Sequence, residues 1–285
     1  MKVLILGADG QLGSEFTTFL KDKAEVFAFN HNELDILDFK GLTNKFFELS
    51  PDVVINCAAY TKVDQAEREE NLAYQVNAVG AKNVSFTSFK VKAKVLYFST
   101  DYVFDGIKDS PYNEFDKPNP LSIYGKSKLF GEEFTKQFNP NHLILRTSWL
   151  YGINGSNFVK SIIRLAKEKG ELKVVNDQIG TPTYTLDVVN QTWQLIQDDS
   201  VGLYDCSNTG QTNWFEFAKK IVEQLNLNVK ILPIKTDEFP ALAKRPSFSV
   251  LENYLLKIEN KNIIRNWEEA FNDFVNKYKK KLINE

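Results

Sequence analysis

The chain has 285 residues, 43% hydrophobic and 25% charged, with a net charge of −2. That length supports one large domain or a large domain with a smaller lobe, and the near-balanced charge excludes the broad basic footprint of a nucleic-acid binder. Two cysteines without a CxxC and two histidines without an HExxH leave little material for a zinc site, a disulfide framework or serine–histidine hydrolysis.

The first apolar run, Val3 to Leu6, breaks into glycine at Gly7 and is too short for a signal peptide. No stretch approaches the ~20 apolar residues of a membrane span, so a cytoplasmic protein without membrane contact is expected. A helix is predicted from about Ser14 to Leu20, then a strand at Val26–Phe29 and another at Asp52–Asn56. Helical patterns over Val63–Glu70 and Leu72–Phe89 precede strands at Lys94–Ser99 and His142–Arg146. Short, near-continuous apolar strands alternating with helices indicate a parallel sheet covered on both faces.

After Trp149 the pattern loosens into a helix at Asn157–Lys169, a strand at Leu172–Val175, a helix at Leu186–Gln197 and a strand at Leu203–Cys206. Further helices are predicted at Trp214–Leu225 and Trp267–Leu282. The fold class is therefore α/β: a doubly wound parallel sheet of the Rossmann type with a smaller C-terminal α/β lobe for substrate. Residues 1–150 form the large domain, completed by about 172–206, and residues 151–171 and 207–285 form the lobe. Cys57 and Cys206 read as buried free thiols.

Gly7-Ala8-Asp9-Gly10-Gln11-Leu12-Gly13 places three glycines, Gly7, Gly10 and Gly13, between the first strand and the first helix. Glycine lets the backbone turn sharply and approach a pyrophosphate, and the helix start offers free N–H groups and a positive dipole end. In this context the turn predicts a nicotinamide dinucleotide, NADH or NADPH. The second strand ends at Asn30, followed by His31 and Asn32 with no arginine near, so the choice of coenzyme stays open; Asp35 is a further candidate facing the adenine.

Tyr124 and Lys128 form a YxxxK, four apart and so on one face of a helix. An ammonium there is expected to lower the phenol pKa from about 10 and to hold the nicotinamide ribose. Chance alone would supply such a pair in a chain this rich in tyrosine and lysine, so its position decides: it follows the strand that ends Ser99-Thr100-Asp101. The Thr100 hydroxyl is placed to bond a substrate carbonyl.

With these residues in place, the sequence resembles the extended short-chain dehydrogenase/reductase family, and within it the dTDP-4-dehydrorhamnose reductases. The matching strings run in order through nearly the whole chain: GADGQLG at Gly7, NCAAYTKVDQAE at Asn56, STDYVFDG at Ser99, YGKSK at Tyr124, RTSWLYG at Arg146, GSNF at Gly155, VVNDQIGTPTY at Val174, GLYDCSNTG at Gly202, NWFEFA at Asn213 and KRPSFSVLEN at Lys244. The resemblance implies Tyr124 as proton donor, Lys128 as its partner and ribose ligand, and Thr100 as the third catalytic residue. It further implies Gly10, Gln11 and Leu12 on the pyrophosphate, Asp35 and Ile36 by the adenosine, and Ala59, Tyr60 and Thr61 bordering the cofactor. On the substrate side it implies Asp101 and Trp149 by the sugar, with Asn157 and Arg245 on the diphosphate of a dTDP-linked 4-keto-6-deoxysugar. It also implies a homodimer, with magnesium held by acidic side chains in some members. Trp214 and Phe217, three apart, read as packing. Two departures stand out, Asp205 where the family often has histidine and Glu252 where aspartate is common. A reductase of a different nucleotide-linked keto sugar is the nearest competing reading; a non-catalytic dinucleotide-binding subunit is the other, and intact Thr100, Tyr124 and Lys128 argue against it.

Overall fold

Residues 1–284 are described by a computed structural model. The chain begins with β1 (Lys2–Leu6), α1 (Gln11–Leu20), β2 (Glu25–Phe29), α2 (Phe39–Leu49) and β3 (Val53–Asn56). Two short helices, α3 (Val63–Ala66) and α4 (Glu70–Tyr74), run through a wider π turn at Gln75–Gly80 into α5 (Ala81–Lys90). Next come β4 (Lys94–Thr100), α6 (Ile123–Phe138), β5 (His142–Thr147) and β6 (Leu150–Tyr151). They are followed by α7 (Phe158–Glu168), β7 (Glu171–Val175), β8 (Ile179–Gly180), β9 (Thr183–Tyr184), α8 (Thr185–Gln197) and β10 (Gly202–Asp205). The remainder comprises β11 (Thr212–Asn213), α9 (Trp214–Leu225), β12 (Lys230–Ile234), α10 (Tyr254–Ile258) and α11 (Trp267–Asn284).

Six strands pair in parallel in the order β10-β5-β4-β3-β1-β2. Alternate side chains of β1 go to opposite faces. Val3 and Ile5 join Leu12 and Phe16 of α1 and Val188 and Leu195 of α8, while Leu4 and Leu6 join Leu42 and Phe46 of α2 and Val84 of α5. Each such side chain, fully buried, contributes about 1.5–3 kcal/mol. The order reverses at β1, with β2 on one side and β3 on the other, and this opens a crevice at their carboxyl ends. The glycine turn leaves β1 into that crevice, and residues 57–61 leave β3 into it.

The second lobe packs α7, α9 and α11 around an aromatic centre, with Tyr151 meeting Phe217, Phe271 and Phe274 at ring-centroid distances of 5.8, 5.7 and 5.2 Å. Within the stretch 172–206, α8 and β10 build onto the large sheet, whereas β7 pairs with β12 in the lobe. The burial of β7 alternates, one face covered and one open, which suits a lobe strand and not the two-sided interior of the large sheet.

Several elements depart from the sequence reading, α10 and the two-residue strands β6, β8, β9 and β11 among them. Helix α2 went unseen although Leu42 and Phe46 are buried four apart, because the exposed Phe39 and Phe47 blur its apolar stripe. Strand β12, carrying a proline and two lysine-flanked apolar residues, also went unseen. The helix expected over Leu72–Phe89 is broken by the π turn, where the Asn77 side chain leaves the helix surface to bond a neighbouring loop. Among the described residues no helix is long and apolar enough to cross a membrane.

Candidate active site

The glycine turn is shaped by its own crowding. Gly7 has φ +71°, and a Cβ there would stand 2.7 Å from the Ala58 amide nitrogen; a Cβ on Gly13 would run into the Gly7 carbonyl oxygen. Gly10 N donates to the Gly7 carbonyl at 3.1 Å and Ala8 N to the Phe29 carbonyl at 3.0 Å, so the turn is locked to both β1 and β2. The opening amides of a helix have no intrahelical partner, and no side chain caps those of α1, whose N-cap is Gly10. Gln11, Leu12 and Gly13 therefore present backbone N–H groups to an anion. Leu12 offers only its backbone, since its side chain is core. The steric cradle and the bare helix end fit a dinucleotide pyrophosphate.

Beyond β2, Asn30 Oδ1 accepts from the amides of Asn32 (2.9 Å) and Glu33 (3.2 Å), and Asn30 N donates to the Glu33 carboxylate (2.8 Å). Asn30 is thus turned into the local loop. Asp35 accepts from Leu37 N at 2.9 Å and lies 3.7 Å from the His31 ring. Ile36 is buried against Gly80, so only its backbone can border an adenosine.

On the other wall, β4 ends at Thr100 and α6 carries Tyr124 and Lys128 one turn apart. The Thr100 hydroxyl bonds the Tyr124 phenol and donates to Asp101 Oδ1 at 3.0 Å. Ser249, from the far end of the chain, donates to Asp101 Oδ2 at 2.6 Å. The Lys128 ammonium sits 4.2 Å from the centroid of the Tyr97 ring and is 3% exposed, whereas Tyr124 is half-buried. Asn77, in the π turn, ties the two walls together. Its Oδ1 accepts from Tyr60 N (2.8 Å), and its Nδ2 donates to the Tyr60 carbonyl (3.0 Å) and to Ser127 Oγ (3.0 Å). Ser127 Oγ in turn donates to the Tyr124 carbonyl. Ala59 and Tyr60 are half-buried and Thr61 exposed in the loop so held. Sequence reading had no signal for Asn77, because a lone asparagine in a helical pattern reads as surface.

Burial dominates the electrostatics. It pushes the Tyr124 phenol up to about 12, offset by the Thr100 hydrogen bond and reinforced by Asp101, and it pushes Lys128 down to about 7 against the pull of Glu132. The expectation that Lys128 lowers the phenol pKa is not met, because desolvation weakens the ammonium charge that was to do it. Burial also lifts Asp101 to about 7, against hydrogen bonds from Ser249 and Thr100. Between its ordinary value near 4 and about 7, Asp101 binds a proton in the folded chain and not in the unfolded one. Its contribution to stability is therefore complete at low pH and lost as pH rises through 7. Lys128, shifted the other way, contributes only as pH climbs above 7. Urea midpoints of Asp101→Asn should gain on the wild type as pH goes from about 4 to 7; a constant gap across that window would contradict the buried acid.

The substrate-side residues divide. A cavity of about 310 Å³ beside the crevice is lined by Tyr102, Phe158, Gln178, Trp214, Phe239 and Arg245, among others. Arg245 reaches it while paired with Asp64 at 2.6 Å and bonded to the Tyr102 phenol. Trp149, in a left-handed backbone conformation (φ +45°), stacks flat on Trp214 with centroids 3.5 Å apart. Trp214 packs on Trp149 as well as lining the cavity, whereas Phe217 is fully buried in the lobe. The Asn157 side chain is engaged within the protein. It caps α7 by accepting from Lys160 N (3.1 Å), and its amide donates to the Gly152 carbonyl (2.9 Å) and to Gln11 Oε1 (3.2 Å). It is a joint between lobe and glycine turn.

Behind Lys128 lies a charge cluster that no local pattern announced. Arg146 bonds Glu132 through Nε (2.9 Å) and Nη2 (2.8 Å), and Ser99 donates to the same carboxylate. Asp205, the departure from the family pattern, is fully buried beside Glu114, whose carboxylate accepts from the Asp205 amide at 2.9 Å. Burial and Glu114 together hold the Asp205 carboxyl well above the usual range. Among the described residues no group of three or more His, Cys, Asp or Glu side chains is placed to hold a metal ion, so magnesium gains no support.

Comparison with known proteins adds independent weight. Residues 1–280 match the family described as the RmlD substrate binding domain. The chain is 42% identical over 276 residues to the spore coat polysaccharide biosynthesis protein SpsK of Bacillus subtilis, with 96% of each chain covered. It is 39% identical over 285 residues to the dTDP-4-dehydrorhamnose reductase of Aggregatibacter actinomycetemcomitans, covering 94% of this chain and 96% of the other. The crystal structure of the dTDP-4-dehydrorhamnose reductase of Bacillus anthracis in complex with NADP superposes with a TM-score of 0.95 at 45% identity, over 97% of this chain and 99% of that one.

Proposed function

The chain belongs to the RmlD substrate binding domain family, that of the dTDP-4-dehydrorhamnose reductases, and from that membership we propose how its residues perform the reaction. It is an NAD(P)H-dependent oxidoreductase that reduces the 4-keto group of dTDP-4-dehydro-L-rhamnose to give dTDP-L-rhamnose. The observation that carries the assignment of roles is the bond between the Thr100 and Tyr124 hydroxyls, with Lys128 buried one turn further along α6.

When bound, the reduced dinucleotide supplies a hydride to the keto carbon. Thr100 bonds the carbonyl oxygen and holds it toward Tyr124. As the C=O electron pair moves onto oxygen, the Tyr124 phenol gives its proton to the forming alkoxide, leaving the alcohol. A phenol held near 12 stands fully protonated across the neutral range, as a donor in the reductive direction has to. Lys128 holds the nicotinamide ribose, and the amides of Gln11, Leu12 and Gly13 hold the pyrophosphate. Asp101 and Trp149 border the sugar, with Arg245 on the diphosphate. The assembly is a homodimer, read by sedimentation of the purified protein.

The test is loss of NADPH or NADH absorbance when purified protein meets dTDP-4-dehydrorhamnose, with a GDP-linked keto sugar alongside. Turnover of the dTDP sugar with either coenzyme is expected. No turnover of it would overturn the reading, and the ratio of kcat/KM for the two coenzymes settles which is used.

A further inference from the structure

The segment that brings Arg245 to the cavity has little to hold it. After one 3₁₀ turn at Thr236–Glu238 it runs without regular structure through Pro240 to Arg245, leaving Phe239 and Leu242 substantially exposed. Among the described residues, most of its hydrogen bonds to the large domain go to a single carboxylate. Asp64 Oδ1 accepts from Leu242 N (3.0 Å), Ala243 N (3.1 Å) and Arg245 Nη1 (3.2 Å), and Oδ2 accepts from Arg245 Nη2 (2.6 Å). Among the described residues, the Tyr102 phenol is the one other large-domain group that bonds Pro240–Arg245, and it does so through the same guanidinium.

Asp64 stands on α3, three residues beyond the cofactor-bordering Thr61, and does not line the substrate cavity. Phe239 and Arg245 do line it, together with Tyr102 and Trp214. The carboxylate therefore closes the strap across the cavity from outside. It also aims the guanidinium, since a fork gripped on one edge by a carboxylate is fixed in plane and presents its remaining N–H groups in one direction.

We propose that Asp64 is a positioning residue for the sugar nucleotide: it clasps the strap 239–245 over the cavity and holds Arg245 facing the substrate diphosphate. This rests on the reading of Arg245 given above. A strap released from Asp64 has to be ordered anew with each substrate, and that loss falls on sugar-nucleotide binding alone.

The test combines Asp64→Ala, Asp64→Asn, Arg245→Ala and the double variant Asp64→Ala/Arg245→Ala, assayed with NADPH and dTDP-4-dehydrorhamnose. Asp64→Ala is expected to raise KM for the sugar nucleotide roughly 10- to 100-fold, with dinucleotide affinity unchanged. Asp64→Asn, which still accepts from Leu242 and Ala243 but lacks the charge, should fall between. The double variant should be no worse than Arg245→Ala, because both act through one guanidinium. Multiplying effects, or an effect on dinucleotide affinity in place of KM, would overturn the proposal. Dinucleotide binding also reports that each variant is folded. Trypsin cleavage at Lys244 supplies an arm that needs no turnover, and it should be faster in Asp64→Ala than in wild type. An unchanged cleavage rate defeats the clasp, whereas an inactive wild type with normal dinucleotide binding defeats the functional reading instead.

Discussion

Tyr124→Phe should lower kcat by about 10²- to 10⁴-fold while dinucleotide affinity stays within about two-fold. The substitution removes one oxygen and leaves the ring, which meets Tyr102 edge-on at a centroid distance of 6.0 Å, so the wall keeps its shape. What disappears is the only proton the reaction draws on at the forming alkoxide. Thr100, an aliphatic alcohol, is far too weak an acid to replace the phenol as the proton donor. Steady-state oxidation of NADPH gives kcat, and a dinucleotide titration monitored by fluorescence gives affinity. A kcat near the wild-type value would remove Tyr124 from the mechanism. An equal fall in both quantities would make it structural.

The largest expected effect on stability lies at Arg146. Its side chain is 3% exposed, forked onto Glu132, with the guanidinium 5.1 Å from the centroid of the Phe104 ring. Arg146→Met fills most of the space and removes the cation, leaving Glu132 buried without its counter-charge and with Asp205 and Glu114 close by. Breaking a buried pair from one side costs about 3–5 kcal/mol. Urea unfolding at pH 7 should show that loss. Removing Glu132 as well, as Glu132→Leu/Arg146→Met, should recover much of the stability, since an apolar pair of similar volume often replaces a buried ion pair without loss. A double variant as unstable as the single one would place the cost in packing.

The large sheet and the glycine turn were legible because they are written locally. Val3–Leu6, Val53–Asn56 and Lys94–Thr100 are nearly continuous apolar runs, and the turn lies between a strand and a helix at the start of the chain. The contact of Thr100 with Tyr124 was legible through their order along the chain. The rest depends on partners far apart in sequence. Asn77 acts through Tyr60 and Ser127, Ser249 through Asp101, and Asp64 through Arg245; a side chain whose partner is 17 to 181 residues away leaves no periodic trace. Asn157 shows the converse. Its string marked a position in the family but not what the side chain does, and the cap on α7 with the bond to Gln11 emerges only from coordinates. The charge on Lys128 was misjudged because motif spacing carries no information on desolvation.

The stacked indoles of Trp149 and Trp214 have a practical consequence. One closes a loop from the large sheet and the other heads a helix of the lobe, and together they are half of the chain's four tryptophans. Rings in face-to-face contact exchange excitation, so their emission serves as an unlabelled optical gauge of whether the two halves are seated together. Any ligand or substitution that pries them apart would abolish that exchange before catalysis could be assayed.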